Sequence, residues 1–116
     1  MTSVDCSKVK DGTYIIPLDN FEGMEGEFYR IERTGRYQSE ILSMDNSVVR
    51  YSIKWLDDCT YLLFDEVTLS GENPNEIRKT DTLTVEITNV TSRFYKAVIS
   101  TNYSDGISET KIFFDK

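Results

Sequence analysis

The sequence has no histidine. That removes the commonest general base and metal ligand together. Ser–His, Cys–His and His–zinc chemistries are excluded, while carboxylate, Lys and Tyr chemistries are not. Proline is scarce, with 2 residues, and glycine is limited to 6, which argues against a low-complexity or linker-dominated chain. No Gly-rich phosphate loop, dinucleotide-binding fingerprint or CxxC pair occurs. No apolar run approaches the roughly 20 residues needed to span a bilayer. Basic residues are the minority, 13 against 20 acidic, for a net charge of −7. Nucleic-acid binding draws on phosphate neutralisation by Lys and Arg, so an acidic chain without a basic block points away from DNA and RNA. It also points away from an anionic membrane surface.

What is present is hydrophobic and aromatic. Apolar residues make up 39% of the 116 and aromatics 12%, with 7 Tyr and 6 Phe. That content is too high for a disordered chain. The length suits one domain spanning residues 1–116, able to bury about two thirds of its unfolded surface.

Short β-branched and aromatic segments recur between polar turns. The first is Thr13-Tyr14-Ile15-Ile16, stopped by Pro17, and an acidic Gly-containing loop from Asp19 to Gly26 follows. The second runs from about Glu27 to Arg33, and Thr34-Gly35 turns it into a third, Arg36 to Met44. Asp45-Asn46 then leads to the clearest segment, Val48 to Leu56, where Val49, Tyr51, Ile53 and Trp55 alternate with Val48, Arg50, Ser52 and Lys54. Period two with one large apolar face is the mark of a half-buried strand. Asp57-Asp58 turns the chain into Cys59 to Leu69, with Cys59, Tyr61 and Leu63 on one face and Leu62 and Phe64 on the other. Residues 70–81 read as a long exposed loop. Three further segments follow: Thr82–Val90, Arg93–Thr101 and Ile107–Phe114.

Tight polar connections join antiparallel neighbours, whereas parallel crossovers need a dozen residues or more. The expectation is therefore an all-β antiparallel up-and-down meander of about eight strands. Closure into a small barrel, or bending of the sheet, would resolve its exposed edges. Helix is hard to place; the start, Thr2 to Lys10, could form a turn before the first strand.

Cys6 precedes the first segment and Cys59 opens the fifth. They read either as a redox pair or thiol nucleophile, or as a disulfide tying residues 1–12 to the middle of the sheet. With no His to activate a thiol, the disulfide is the preferred reading, in an oxidising compartment. Closing a loop of that length would stabilise the fold by roughly 4 kcal/mol on the chain-entropy model.

Two blocks carry a resemblance. Asp5-Cys6-Ser7-Lys8-Val9-Lys10-Asp11-Gly12-Thr13-Tyr14 fits D-C-x-K-x-x-x-G-x-[FY], and Trp55-Leu56-Asp57-Asp58-Cys59-Thr60-Tyr61 fits W-x-[ND]-[DE]-C-x-Y. Together they resemble a family of small exported proteins of Bacteroidetes. Many relatives begin with a lipoprotein signal, and the two shared cysteines of the family pair. The resemblance implies a periplasmic or outer-membrane-anchored protein. Met1-Thr2-Ser3-Val4 has neither a charged n-region nor an apolar h-region. The expectation is that any signal or lipid anchor belongs to a longer precursor.

Among residues that could carry chemistry, Asp19, Glu22, Glu25 and Glu27 could offer oxygens to a hard cation. Their spacing does not match an EF-hand, and a solvated loop is preferred. Asp57 and Asp58 read as a turn, since adjacent strand residues face opposite ways. Asn89-Val90-Thr91 and Asn102-Tyr103-Ser104 match a glycosylation sequon but fall at turns that favour Asn. No metal or cofactor is expected. Tyr51, Trp55 and Tyr61 would lie together on one face of the fourth–fifth hairpin. If a ligand pocket exists, that is where it is expected.

The first functional expectation is a non-enzymatic binding or interaction domain of the cell envelope, with an envelope protein as partner. The alternative is a carrier of a small hydrophobic ligand, resembling a lipocalin or calycin barrel, with an aromatic-walled cavity. A carboxylate or Tyr enzyme comes last, since no spacing supports it.

Overall fold

A computed structural model describes residues 5–19, 22–71, 81–102 and 105–115. A single 3-10 turn, Ser7–Val9, is followed by eight strands: β1 Gly12–Pro17, β2 Phe28–Arg33, β3 Tyr37–Leu42, β4 Val48–Asp57, β5 Thr60–Ser70, β6 Leu83–Val90, β7 Phe94–Thr101 and β8 Ile107–Phe114. They pair antiparallel in chain order, and β8 returns to β1 to close a barrel. The expected eight-strand meander is thus a closed barrel, each strand within two residues of the pattern that foretold it.

The turns follow from their residues. Asn46 has φ 58°, in the left-handed region that Asn tolerates, and Asp45 Oδ1 accepts from Ser47 N at 3.0 Å. Asp57 Oδ1 likewise accepts from Cys59 N at 2.9 Å, which draws its carboxyl below the usual range. At the end of β5, Gly71 has φ +80°, and a Cβ there would come within 2.6 Å of the Ser47 Cβ. Only glycine lets these two chain segments approach so closely.

Pairing partners share a face, so the ladders show which side chains point inward. Tyr14 faces Ile31, which faces Glu40, which faces Val49. Across the barrel, Tyr61 faces Val85 and Val85 faces Ile99. The buried core comprises Cys6, Val9, Tyr14, Ile31, Ile53, Tyr61, Leu63, Val85, Ile87, Tyr95, Ala97 and Ile112. Burying about a dozen apolar side chains, each contributing roughly 1.5–3 kcal/mol, is the main stabilising term.

The core sits towards one end. There the Ser7–Val9 turn plugs the barrel, with Cys6 and Val9 buried. A disulfide joins Cys6 to Cys59, with Cα atoms 5.4 Å apart. Lys10 Nζ adds a hydrogen bond to the Asp58 carbonyl at 2.8 Å and lies 3.5 Å from the centre of the Trp55 ring. Both motif blocks of the sequence therefore meet in the plug, the first supplying the stopper and the second its seat.

Three ladders are irregular, one of them β6–β7, where the register shifts between Ile87 and Asn89. In β4–β5 the register shifts between Arg50 and Ser52, where Asp65 adopts φ 51°. Such a bulge places two residues of one strand opposite one of its neighbour and re-aims the side chains beyond it. The β1–β8 ladder holds only two pairs, Tyr14↔Phe114 and Ile15↔Phe113. Pro17 cannot donate to a ladder, and the next residue, Leu18, bonds instead to Glu27 O at 2.9 Å. β1 thus leaves β8 early.

Residues 72–80, most of the expected 70–81 loop, lie outside the described residues, as do Met1–Val4 and residues 103–104 of the second sequon. Among the described residues no helix is long and apolar enough to cross a membrane.

Candidate functional site

Above the plug, the barrel interior is organised around Arg33. Its parity with Tyr29 and Ile31 on β2 turns it inward. Nε donates to Gln38 Oε1 at 2.9 Å, Nη1 to the Val9 carbonyl at 2.7 Å, and Nη2 to the hydroxyls of Tyr61 at 3.0 Å and Tyr95 at 2.8 Å. Four of its five N–H groups are thus satisfied. Its guanidinium carbon also lies 4.7 Å from the ring centres of both Tyr14 and Tyr61. Burial alone would work against its charge, but the surrounding tyrosine oxygens outweigh it and hold the group firmly cationic. Burial raises the Tyr14 hydroxyl to about 12 and takes Tyr61 well above the ordinary phenol value. These tyrosines stay neutral and surround Arg33 with ring faces and hydroxyl acceptors.

The polar chain continues toward the other end. Gln38 Nε2 donates to Glu40 Oε2 at 2.9 Å. Burial pushes the Glu40 carboxyl upward, and neighbouring Glu66 adds to this, while Gln38 and Arg33 pull it down. The β5 bulge brings Glu66 inside, where it hydrogen-bonds Tyr51; burial is the largest cause of that hydroxyl's strong upward shift. Two residues on, Thr68 pairs with inward-facing Val49, and its buried Oγ1 has no hydrogen-bond partner among the described residues. The opposite wall, from β6 to β8, is mostly aliphatic: Leu83, Val85, Ile87, Ala97, Ile99 and Ile112. The interior is therefore uneven: its buried charged and amide side chains stand on β2–β5 among apolar neighbours, whereas β6–β8 contribute mainly aliphatic side chains, with Tyr95 of β7 joining the Arg33 hub.

The two ends differ in solvent contact. At the plug end Tyr14, Ile31, Arg33, Tyr61, Tyr95 and Ile112 are sealed. At the far end the inward-facing Ile16, Leu42, Val49, Leu83, Ile99 and Thr101 are half-buried. Leu18, in the β1–β2 connection at this end, is buried. Among the described residues this is the more solvent-accessible end, the mouth, and Glu40, Tyr51, Glu66 and Thr68 lie between it and the plug.

The three aromatic residues singled out from the sequence share the inward face but not the same depth. Trp55 and Tyr61 pack at a tilt of 50° with ring centres 4.7 Å apart beside the plug, Trp55 under Lys10 and Tyr61 against Arg33. Tyr51 stands higher, next to Glu66. Cys6 and Cys59 form the disulfide. In the acidic loop, Asp19 Oδ1 accepts from Gly26 N at 2.8 Å, closing the loop on itself. Among the described residues, no three His, Cys, Asp or Glu side chains gather to hold a metal ion.

Sequence reasoning missed Arg33, Gln38, Glu40, Glu66 and Thr68. For the first three a signal existed: strict alternation from Ile31, and from Leu42 back along β3, places them inward. For the last two it did not, because the bulge reverses the parity of β5.

No family model, curated protein or solved structure matches this chain.

Proposed function

We propose that this chain is a non-enzymatic binding protein of the cell envelope that takes a small, largely hydrophobic ligand into the mouth of its barrel. The observation that carries this reading is the asymmetry of the interior: one end is sealed by a covalently held plug, whereas the inward side chains of the other remain in contact with solvent. Barrels of about eight strands have room either for a filled core or for one small ligand, and here the filled part is the plug half. The aliphatic wall suits an apolar body, and Glu40, Tyr51, Glu66 and the unpartnered Thr68 hydroxyl suit one hydrogen-bonding group. An anionic head group is disfavoured, because it would meet the carboxyls of Glu40 and Glu66. The envelope assignment rests on the disulfide, which persists in oxidising compartments, and on the two motif blocks.

Titration with the neutral fluorophore N-phenyl-1-naphthylamine tests the reading. Saturable 1:1 binding is expected, displaced by a long-chain alcohol in preference to the matching fatty acid, and lost in Leu83→Trp, which fills the mouth. Absence of saturable binding, or binding indifferent to Leu83→Trp, overturns it. A role purely in protein interaction draws on apolar side chains left outside the β4–β5 hairpin, Leu56, Val67 and Leu69. It is favoured if the folded protein binds no probe.

A further inference from the structure

Among the described residues, the seam between β1 and β8 leaves part of a strand without a neighbour. Phe114 N bonds to Arg93 O on the β7 side at 3.0 Å, and Asp115 N bonds to Thr13 O on the β1 side at 3.1 Å. Alternate residues of an antiparallel strand direct their N–H and C=O groups to opposite neighbours. Even-numbered residues of β8 are thus committed to β7, while Ile107, Glu109, Lys111 and Phe113 direct theirs towards β1. The β1–β8 ladder, however, stops at Ile15↔Phe113. Beyond it the strands part around a cleft of about 480 Å³, lined by Pro17 and Asp19 on one side and by Glu109, Thr110, Lys111 and Phe113 on the other. The outward main-chain groups of Glu109 and Lys111 face this cleft.

The same odd-numbered residues point their side chains to the outer surface, and their order is self-complementary about Thr110. An antiparallel copy centred there places each Glu109 opposite the other copy's Lys111. It also brings Ile107, the most exposed large apolar residue described at 72%, to the end of the cleft bounded by the other copy's Pro17 and Phe113. Parity agrees, since odd residues meet odd ones and can exchange two main-chain hydrogen bonds at each Glu109–Lys111 pair. Within one chain, Lys111 lies opposite Lys96 of β7 and 5.0 Å from the Phe94 ring centre. Two facing lysines are unfavourable as they stand, and a carboxylate from a second copy would offset them.

We propose that two copies of this chain pair antiparallel through the free edge of β8, Thr110 opposite Thr110, with reciprocal Glu109–Lys111 contacts. The arrangement is an isologous two-fold contact. A contact of this size belongs among weak, concentration-dependent interfaces. It leaves the barrel mouth's ligand chemistry unaltered and stands independently of it.

Sedimentation velocity over a rising concentration series tests the pairing, with thermal melts confirming that each variant folds. The wild type is expected to pass from monomer to dimer. Glu109→Lys and Lys111→Glu each replace two attractive pairs by repulsive ones and should weaken dimerisation about tenfold. Mixing the two variants restores both attractive pairs and should restore the dimer, as should the double exchange E109K/K111E in one chain. A wild type that stays monomeric throughout overturns the proposal. So does a dimer indifferent to the single exchanges, or a mixture that fails to recover.

Discussion

The two ends of this barrel are made from the same eight strands but by opposite rules. At the plug end the inward polar groups bond one another, with four of the five Arg33 N–H groups satisfied. The stopper is held by a disulfide, by the Lys10 bond to Asp58 and by Arg33 gripping the Val9 carbonyl. At the mouth, inward side chains keep solvent contact, a buried hydroxyl lacks a partner, and a carboxyl is raised by its own burial. One end minimises the free energy of the isolated chain. The other tolerates polar groups whose burial costs stability, and natural proteins accept such conflicts mainly at functional sites.

The sharpest way to break the contrast is to remove Arg33. Arg33→Met keeps a long apolar stem but deprives Gln38, Tyr61, Tyr95 and the Val9 carbonyl of their shared donor. Breaking a buried charged network by deleting one member costs about 3–5 kcal/mol, and urea unfolding should show a loss of that order. A loss below about 1 kcal/mol, the scale of one ordinary hydrogen bond, would mean that the plug end does not depend on this hub. Next comes the covalent latch. The bridge spans a sequence separation of 53, so C6A/C59A should cost about 4 kcal/mol through the freed unfolded chain. Because Lys10 and Arg33 still hold the turn, the double variant is expected to fold with its plug in place; amide exchange at Val9 would report otherwise.

How much of this was legible depends on where parity holds. Strict alternation through Val49, Tyr51, Ile53 and Trp55 assigns β4 its face directly, and Asp-Asn and Asp-Asp turns mark the hairpins. The barrel follows because tight turns leave no room for crossovers. The same rule fails in β5. Extending Tyr61 and Leu63 by period two would bury Val67 and Leu69 and expose Glu66 and Thr68. The bulge at Asp65 does the reverse, leaving Val67 39% and Leu69 51% exposed. No hydrophobic pattern signals this, since the apolar choice for the interior is available in the sequence and is not the one adopted. Tyr51, Trp55 and Tyr61 share the face that alternation assigns them, but depth along a barrel depends on register and on which end is plugged, and neither is written in periodicity.

A smaller effect sharpens the contrast through pH. Burial raises the Glu40 carboxyl above its ordinary 4.5, so the folded state holds a proton that the unfolded chain has released. Stability from this group is fully present below the unfolded value and is lost as pH rises through the folded one. Glu40→Gln keeps an acceptor for Gln38 and cannot ionise. It should therefore flatten the decline in stability above the ordinary carboxyl value, with the variant gaining on the wild type as pH approaches neutrality. Equal slopes for the two proteins would show that Glu40 is not strained by its position.

The smallest expected change is the most telling about the mouth. Thr68→Val replaces a buried, unpartnered hydroxyl by a methyl of nearly the same shape on a residue equally suited to a strand. Leaving a buried hydroxyl unsatisfied is unfavourable, and substituting an apolar isostere for it is neutral or stabilising. The variant should gain up to about 1 kcal/mol in urea unfolding while binding a long-chain alcohol more weakly than the wild type does. The opposite signs matter: a residue that only packs would lose on both measures or on neither. If Thr68→Val instead costs stability, the hydroxyl already has a partner in the free protein, and the mouth is as fully satisfied as the plug. Gained stability with unchanged alcohol affinity would move the ligand's polar group away from β5, leaving Glu40 and Tyr51 to receive it.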